Sequence, residues 1–157
     1  MPYGNRSPEI IYKFSREAVD FLFKEGCGLV VVACNTVSGV ALRRLQQEYL
    51  PASYPDRRIL GVIRPVVEEA AENSRFGKIG VIATRATVTA GAYERELKKL
   101  SPALKVFQEP APLLVPLIEE GWMGKPVTVK ILREYLRPLK QKKVDILIPG
   151  CTHYALM

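Results

Sequence analysis

Two of the three cysteines in this 157-residue chain stand in nearly the same local company. Cys34 closes the run Gly28-Leu29-Val30-Val31-Val32-Ala33 and leads into Asn35-Thr36, while Cys151 follows Val144-Asp145-Ile146-Leu147-Ile148-Pro149-Gly150 and leads into Thr152-His153. An apolar, β-branched run of this length reads as a buried parallel strand. Each cysteine then falls where a strand ends and the chain turns, the place at which open α/β sheets gather their ligands. A thiol titrates at about 8.5, and a following helix N-terminus can lower that, so one cysteine can be thiolate while the other keeps its proton. A base and an acid on opposite faces of a bound carbon acid remove a proton from one side and return one from the other, which inverts the carbon. Asn35, Thr36 and Thr152 offer neutral hydrogen bonds to the charged ends of such a substrate, and His153 can orient or deprotonate the neighbouring thiol.

The elements that must position these groups follow from local pattern. Ser7-Pro8-Glu9 is a helix start, with a hydroxyl cap, proline at the first position and an acid in the first turn. Ile11, Phe14, Ala18, Phe21 and Leu22 give that helix an apolar side, and Gly26 ends it. Cys27 has no polar company and reads as packing. A second helix begins near Thr36 or Ser38, which puts Cys34 and Asn35 beside its first backbone donors, a natural anion site. Ile59 to Ile63 reads as a strand and Pro65 to Asn73 as a helix. Lys78 to Ala83 is the first strand of a second half, ending in Thr84-Arg85-Ala86-Thr87, threonines suited to cap a helix or to meet a ligand. Tyr93, Leu97 and Leu100 mark the next helix. Leu104 to Gln108 is a strand, Leu113 to Glu120 a helix made awkward by Pro116, and Pro126 opens a helix with Val129, Leu132, Leu136 and Leu139 inward. That helix delivers the chain to the strand Val144 to Ile148. Alternating strands and helices imply an α/β fold with parallel sheets and right-handed crossovers.

Composition narrows the classes. With 48% hydrophobic and 25% charged residues the chain is globular. No stretch is long and apolar enough for a membrane span and the N-terminus is polar, so the expectation is a cytoplasmic protein with no membrane partner. The odd number of cysteines argues against a disulfide framework. The net charge of +7 is carried by scattered groups (Arg43-Arg44, Arg57-Arg58, Lys98-Lys99, Lys140 to Lys143) without interleaved aromatics, so it reads as a solvated surface attractive to small acids and not as a nucleic-acid interface. There is no Gly-x-Gly-x-x-Gly and no Walker loop, so no nucleotide cofactor is expected. A metal or thiol-redox site on Cys34, Cys151 and His153 lacks any Cys-x-x-Cys spacing, and no metal is expected.

Four segments together carry a resemblance. Pro2-Tyr3-Gly4-Asn5-Arg6-Ser7, Ala33-Cys34-Asn35-Thr36, Ala83-Thr84-Arg85-Ala86-Thr87 and Gly150-Cys151-Thr152-His153-Tyr154 resemble, in order, the signature segments of glutamate racemase, a cofactor-independent member of the aspartate/glutamate racemase superfamily. The resemblance runs from end to end. It implies two similar three-layer α/β/α domains with parallel sheets, here residues 1–64 and 65–157. It implies Cys34 and Cys151 as the two acid/base groups, His153 as helper to Cys151, and glutamate bound by Tyr3, Gly4, Asn35, Thr36, Thr84, Thr87 and Thr152. It further implies a bacterial, cytoplasmic isomerase whose D-glutamate enters peptidoglycan, in a family where dimers are common.

The family opens with a strand and an Asp-Ser-Gly segment ahead of Pro-Tyr-Gly and continues past Cys-Thr-His-Tyr, so the expectation is a first domain that is incomplete in this chain. The family's Pro-Gly turn after the strand at 59–63 is replaced by Arg64-Pro65-Val66. Two rival readings follow: an aspartate or other amino-acid racemase of the same superfamily, and a truncated, non-catalytic racemase-derived fragment.

Overall fold

The structure, a computed structural model, describes residues 3–157; Met1 and Pro2, the start of the Pro-Tyr-Gly segment, lie outside the described residues. In chain order the elements are α1 (Pro8–Lys24), β1 (Leu29–Val32), α2 (Asn35–Val40), α3 (Leu42–Arg44), a π-helical turn (Leu45–Tyr49), α4 (Leu50–Ser53), β2 (Arg58–Gly61) and α5 (Ile63–Asn73). They continue with β3 (Lys78–Ala83), α6 (Arg85–Thr89), α7 (Ala92–Leu100), β4 (Lys105–Pro110), α8 (Leu114–Glu119), α9 (Pro126–Gln141), β5 (Ile146–Gly150) and a 3-10 turn (Thr152–Leu156). Every strand pairing among the described residues is parallel. β1 pairs with β2, Leu29 opposite Arg58 through Val32 opposite Gly61. The second sheet has the order β4-β3-β5, with Ala83 level with both Pro110 and Gly150. This is the parallel α/β architecture that the alternating pattern implies.

The cores explain which strands sit where. β3 is apolar on both faces because it is the central strand: Ile79 and Val81 pack with α5 and α7, while Ile82 on the opposite face packs with α8, Cys151 and Tyr154. Around the first sheet, Val30 and Ile59 pack against α1, α2 and the π turn through Ile11, Phe23, Val37 and Leu45. The other face of that sheet is open, with Leu29 50%, Val31 59% and Leu60 53% exposed, whereas parallel sheets are normally covered on both sides. Asp145 ties the loop before β3 to the start of β5, its carboxylate accepting from the backbone N–H groups of Phe76 and Lys78 and from the Ser74 hydroxyl. Those donors, the Phe76 N–H foremost, hold its carboxyl below the usual carboxylate range.

Several local expectations need correction. Ser7 caps α1 as anticipated, accepting from the Ile10 N–H, but the buried stripe is Ile11, Ser15, Val19 and Phe23. Ala18, Phe21 and Leu22 are exposed. The helix is apolar on more than one side, and Ser15 can take a core position because its hydroxyl donates to the Ile11 carbonyl at 2.6 Å. Ile63 belongs to α5, not to a strand, and packs in the core of the second sheet. Pro116 sits in the first turn of α8, where an amide hydrogen has no partner within the helix, so it is well placed there. Val129 and Leu100 are partly exposed, and the inward residues of α9 include the fully buried Thr128, whose hydroxyl donates to the Trp122 carbonyl.

Replacing Ile79, fully buried in the central strand, by alanine is expected to cost about 2–5 kcal/mol in chemical denaturation, whereas Leu29→Ala on the open face of β1 is expected to cost less than about 1 kcal/mol. Equal losses would mean that the open face is covered in solution.

Candidate active site

Both strand-end cysteines face one cavity. Cys34 is the residue before α2 and has extended backbone geometry, so its side chain leaves the chain at the first turn of that helix. Cys151 stands in the same relation to the 3-10 turn after β5. They line a cavity of about 240 Å³ together with Tyr3, Asn35, Thr36, Thr84, Thr152 and His153. Two further lining residues, Val115 and Glu119 of α8, were not foreseen from sequence. Of the other residues named from sequence, Gly4 and Thr87 back the wall instead of lining it. A side chain on Gly4 would meet the Thr84 Cβ at 2.7 Å, so only glycine lets the Tyr3 segment cross Thr84, where the Gly4 carbonyl accepts from the Ala86 N–H. Cys27 packs at the edge of the first core, away from the cavity.

Thr87 is fully buried in a triangle of hydroxyls. Thr36 Oγ1 lies 2.9 Å from Thr84 Oγ1 and 3.1 Å from Thr87 Oγ1, and Thr84 Oγ1 lies 2.9 Å from Thr87 Oγ1. Each hydroxyl can donate one bond and accept another, so the triangle closes on itself. Thr84 also caps α6, accepting from the Thr87 N–H. The three side chains thereby join the turn after β1 to the turn after β3. A second bridge runs beside it: Tyr93 of α7, fully buried, donates its O–H to Asn35 Oδ1 at 2.6 Å. With Oδ1 so engaged, the Asn35 amide keeps its two N–H donors for the cavity. Burial, and secondarily the nearby Cys151 thiolate, push the Tyr93 hydroxyl pKa far up, so it remains a donor. The same ring explains Gly150, where a Cβ would come within 3.0 Å of Tyr93.

His153 connects Cys151 to a carboxylate. Its Nδ1 lies 3.8 Å from Cys151 Sγ and its Nε2 3.2 Å from Glu119 Oε1. Glu119, accepting from Nε2–H, selects the tautomer whose Nδ1 lone pair faces the thiol, the arrangement of a base supported by an acid. Glu119 comes from 34 residues earlier in the chain, which is why no local motif announced it. Burial pushes the Cys151 thiol above its ordinary value; negative charge on Cys34 adds to this, and the backbone N–H groups of His153 and Tyr154 oppose it. The sequence suggested that a helix start would lower such a thiol. At Cys151 the turn donors do pull in that direction, but desolvation wins, so this thiol holds its proton at neutral pH.

The sequence profile of the Asp/Glu/Hydantoin racemase family matches residues 1–157, the whole chain. The chain belongs to that family. Among its racemase relatives, the glutamate racemase of Persephonella marina is 41% identical over all of this chain and 58% of its own length, and that of Aquifex pyrophilus is 46% identical over the same shares. Among solved racemase structures, the glutamate racemase isoform RacE1 of Bacillus anthracis superposes with a TM-score of 0.90 at 35% identity, covering 99% of this chain and 56% of that one. The Francisella tularensis glutamate racemase in complex with D-glutamate gives 0.89 at 32% identity, again over 99% and 56%. The chain thus spans rather more than half the length of the racemases it matches.

Alkylation of Cys151 by iodoacetamide, followed by peptide mass spectrometry across pH, is expected to show a midpoint above the ordinary thiol value of about 8.5, because a raised pKa delays the thiolate to higher pH. A midpoint below that value would contradict the dominance of burial. Tyr93→Phe removes one buried donor from Asn35 and is expected to cost about 1–3 kcal/mol of stability in urea titration; no loss would mean that Asn35 finds another donor.

Proposed function

We propose that this chain carries the reaction centre of a glutamate racemase, interconverting L- and D-glutamate by a two-base mechanism without a cofactor. The observation that carries the reading is the convergence of Cys34 and Cys151, from two sheets, on one small cavity whose hydrogen-bonding groups are mostly neutral, with Glu119 beside His153 its one carboxylate. The choice of glutamate rests on similarity along the whole chain to glutamate racemases, one of them solved in complex with D-glutamate.

One cysteine, as thiolate, takes the α-proton and leaves the electron pair on the α-carbon, delocalised into the adjacent carboxylate. The other, as thiol, delivers its proton to the opposite face. The enzyme is left with the two protonation states exchanged and is ready for the reverse direction. Cys151 starts most easily as the acid, since burial keeps it protonated. For Cys151 to start as the base, His153 takes its proton while Glu119 stabilises the imidazolium. Tyr3, Asn35, Thr36, Thr84 and Thr152 hold the ammonium and carboxylate groups of glutamate, with Gly4 and Thr87 fixing the wall behind them. Neutral donors suit this task, because a fixed cation beside a basic thiolate would weaken it as a base.

The same reading divides the chain at residues 64 and 65 into two racemase domains, a division supported by the two separate sheets. It makes the protein a cytoplasmic isomerase of a bacterium, feeding D-glutamate to peptidoglycan synthesis, with a second copy as its natural partner. No helix among the described residues is long and apolar enough to cross a membrane.

The test is racemisation of L- and of D-glutamate followed by circular dichroism in wild type and variants. Cys34→Ser and Cys151→Ser are each expected to lower kcat/KM by at least about 10²–10⁴-fold, and Cys27→Ser to leave it within about twofold. His153→Asn is expected to slow the direction in which Cys151 is the base more than the other. Equal loss in all three cysteine variants would sink the assignment, and a symmetric effect at His153 would reduce it to a structural role.

A further inference from the structure

The line from Cys151 through His153 to Glu119 is assembled from two elements far apart in sequence. Cys151 and His153 belong to the end of β5 and the 3-10 turn after it, whereas Glu119 is the last residue of α8. The contact that completes the line, His153 Nε2 to Glu119 Oε1, lies at the surface, with 32% and 46% of the two side chains exposed. An exposed pair of this kind contributes only about 0–1 kcal/mol, too little to hold a helix and a turn in register. A deeper tie is needed.

Tyr154 supplies it. Its ring is buried in the core cluster of Ile82, Leu114, Val115, Ile118 and Cys151. Its hydroxyl donates to the Ala111 carbonyl at 2.8 Å, and burial pushes the hydroxyl pKa far up, so it stays a donor. Ala111 is itself fixed on both sides: its N–H donates to the Ala83 carbonyl at the end of β3, and its carbonyl also accepts from the N–H of Leu114, the first residue of α8. At the other end of the same residue, the Tyr154 N–H donates to the Cys151 carbonyl at 3.1 Å. Among the described residues, the hydrogen bonds from the turn to α8 and its lead-in are therefore two, His153 to Glu119 and Tyr154 to Ala111. Only the second is buried, where a hydrogen bond is strongest. Tyr154 does not line the cysteine cavity, so any effect it has on chemistry passes through other groups.

We propose that Tyr154 is a positioning residue: its buried bond to Ala111 holds the start of α8 against the turn, so that Glu119 meets His153 and His153 presents Nδ1 to Cys151. The kinetic half of this inference rests on the racemase reading, and the tautomer of His153 does not.

His153 is the single histidine, so nitrogen NMR of protein with isotope-labelled histidine reports its tautomer alone. At mildly alkaline pH the wild type is expected to carry the proton on Nε2, and Tyr154→Phe and Glu119→Ala each to show a mixture of tautomers. In racemisation of glutamate, each of these variants is expected to lower kcat/KM about tenfold and the double variant no further, because both remove the same contact. Tyr135→Phe, which packs against the same cluster but takes part in neither hydrogen bond, is expected to keep the wild-type tautomer and kcat/KM within about twofold. Tyr154→Phe keeps the ring, and the Ala111 carbonyl keeps Leu114 as donor, so the fold is retained, which circular dichroism checks. An unchanged tautomer in Tyr154→Phe overturns the proposal, as does an additive loss in the double variant. Loss of the fold on removal of this one hydroxyl also overturns it, making Tyr154 a purely structural residue. A wild type that does not racemise glutamate defeats the racemase reading, while the tautomer comparison still decides the role of Tyr154.

Discussion

Three buried hydroxyls hold together the two sheets at the point where their strand ends meet. Thr36 follows β1, Thr84 follows β3 and Thr87 lies one turn into α6, and each sits within 3.1 Å of the other two. A buried hydroxyl without a partner costs about 1–3 kcal/mol, so removing any one of the three leaves orphaned groups in the others. The cavity depends on this triangle, because Cys34 and Thr36 come from one sheet and Cys151 from the other. Tyr93 reinforces the arrangement by reaching from α7 to Asn35 while its ring fills the space beside Gly150. This side of the cavity wall is therefore built from neutral, mutually satisfied hydrogen bonds.

The electrostatics are deliberately unequal. Cys151 is buried and held as a thiol, with a histidine and a glutamate in line behind it. Under the proposed reaction each thiol serves as acid in one direction and as base in the other, and His153 with Glu119 is the route by which the buried thiol would become thiolate. Negative charge on Cys34 raises the Cys151 thiol further, so the buried sulfur senses the charge of its counterpart across the cavity. That coupling favours one thiolate and one thiol over two thiolates, the state that a two-base inversion requires.

Much of this was legible in the residues themselves. The apolar, β-branched runs ending in Ala33-Cys34 and Gly150-Cys151 dictated parallel strands with their cysteines at the same end, and the Ser7-Pro8-Glu9 cap fixed the start of α1. What local pattern could not show was contact across the chain. Glu119 and Tyr93 read as ordinary residues of α8 and α7, and only tertiary packing brings them to His153 and Asn35. The buried face of α1 was misjudged because Phe21 and Leu22 look like core residues while Ser15, satisfied within its own helix, looks like surface.

The central claim is that two different groups, on opposite faces, handle the α-proton of glutamate. The most direct measurement is proton NMR of the α-carbon during the first turnovers of L-glutamate in heavy water, with the two enantiomers separated before analysis. The account predicts deuterium at the α-carbon of newly formed D-glutamate while recovered L-glutamate remains protiated, because the proton is removed on one side and replaced from the other. Equal early labelling of both enantiomers would reveal a single base, and folded protein that labels neither would contradict the two-thiol reaction altogether.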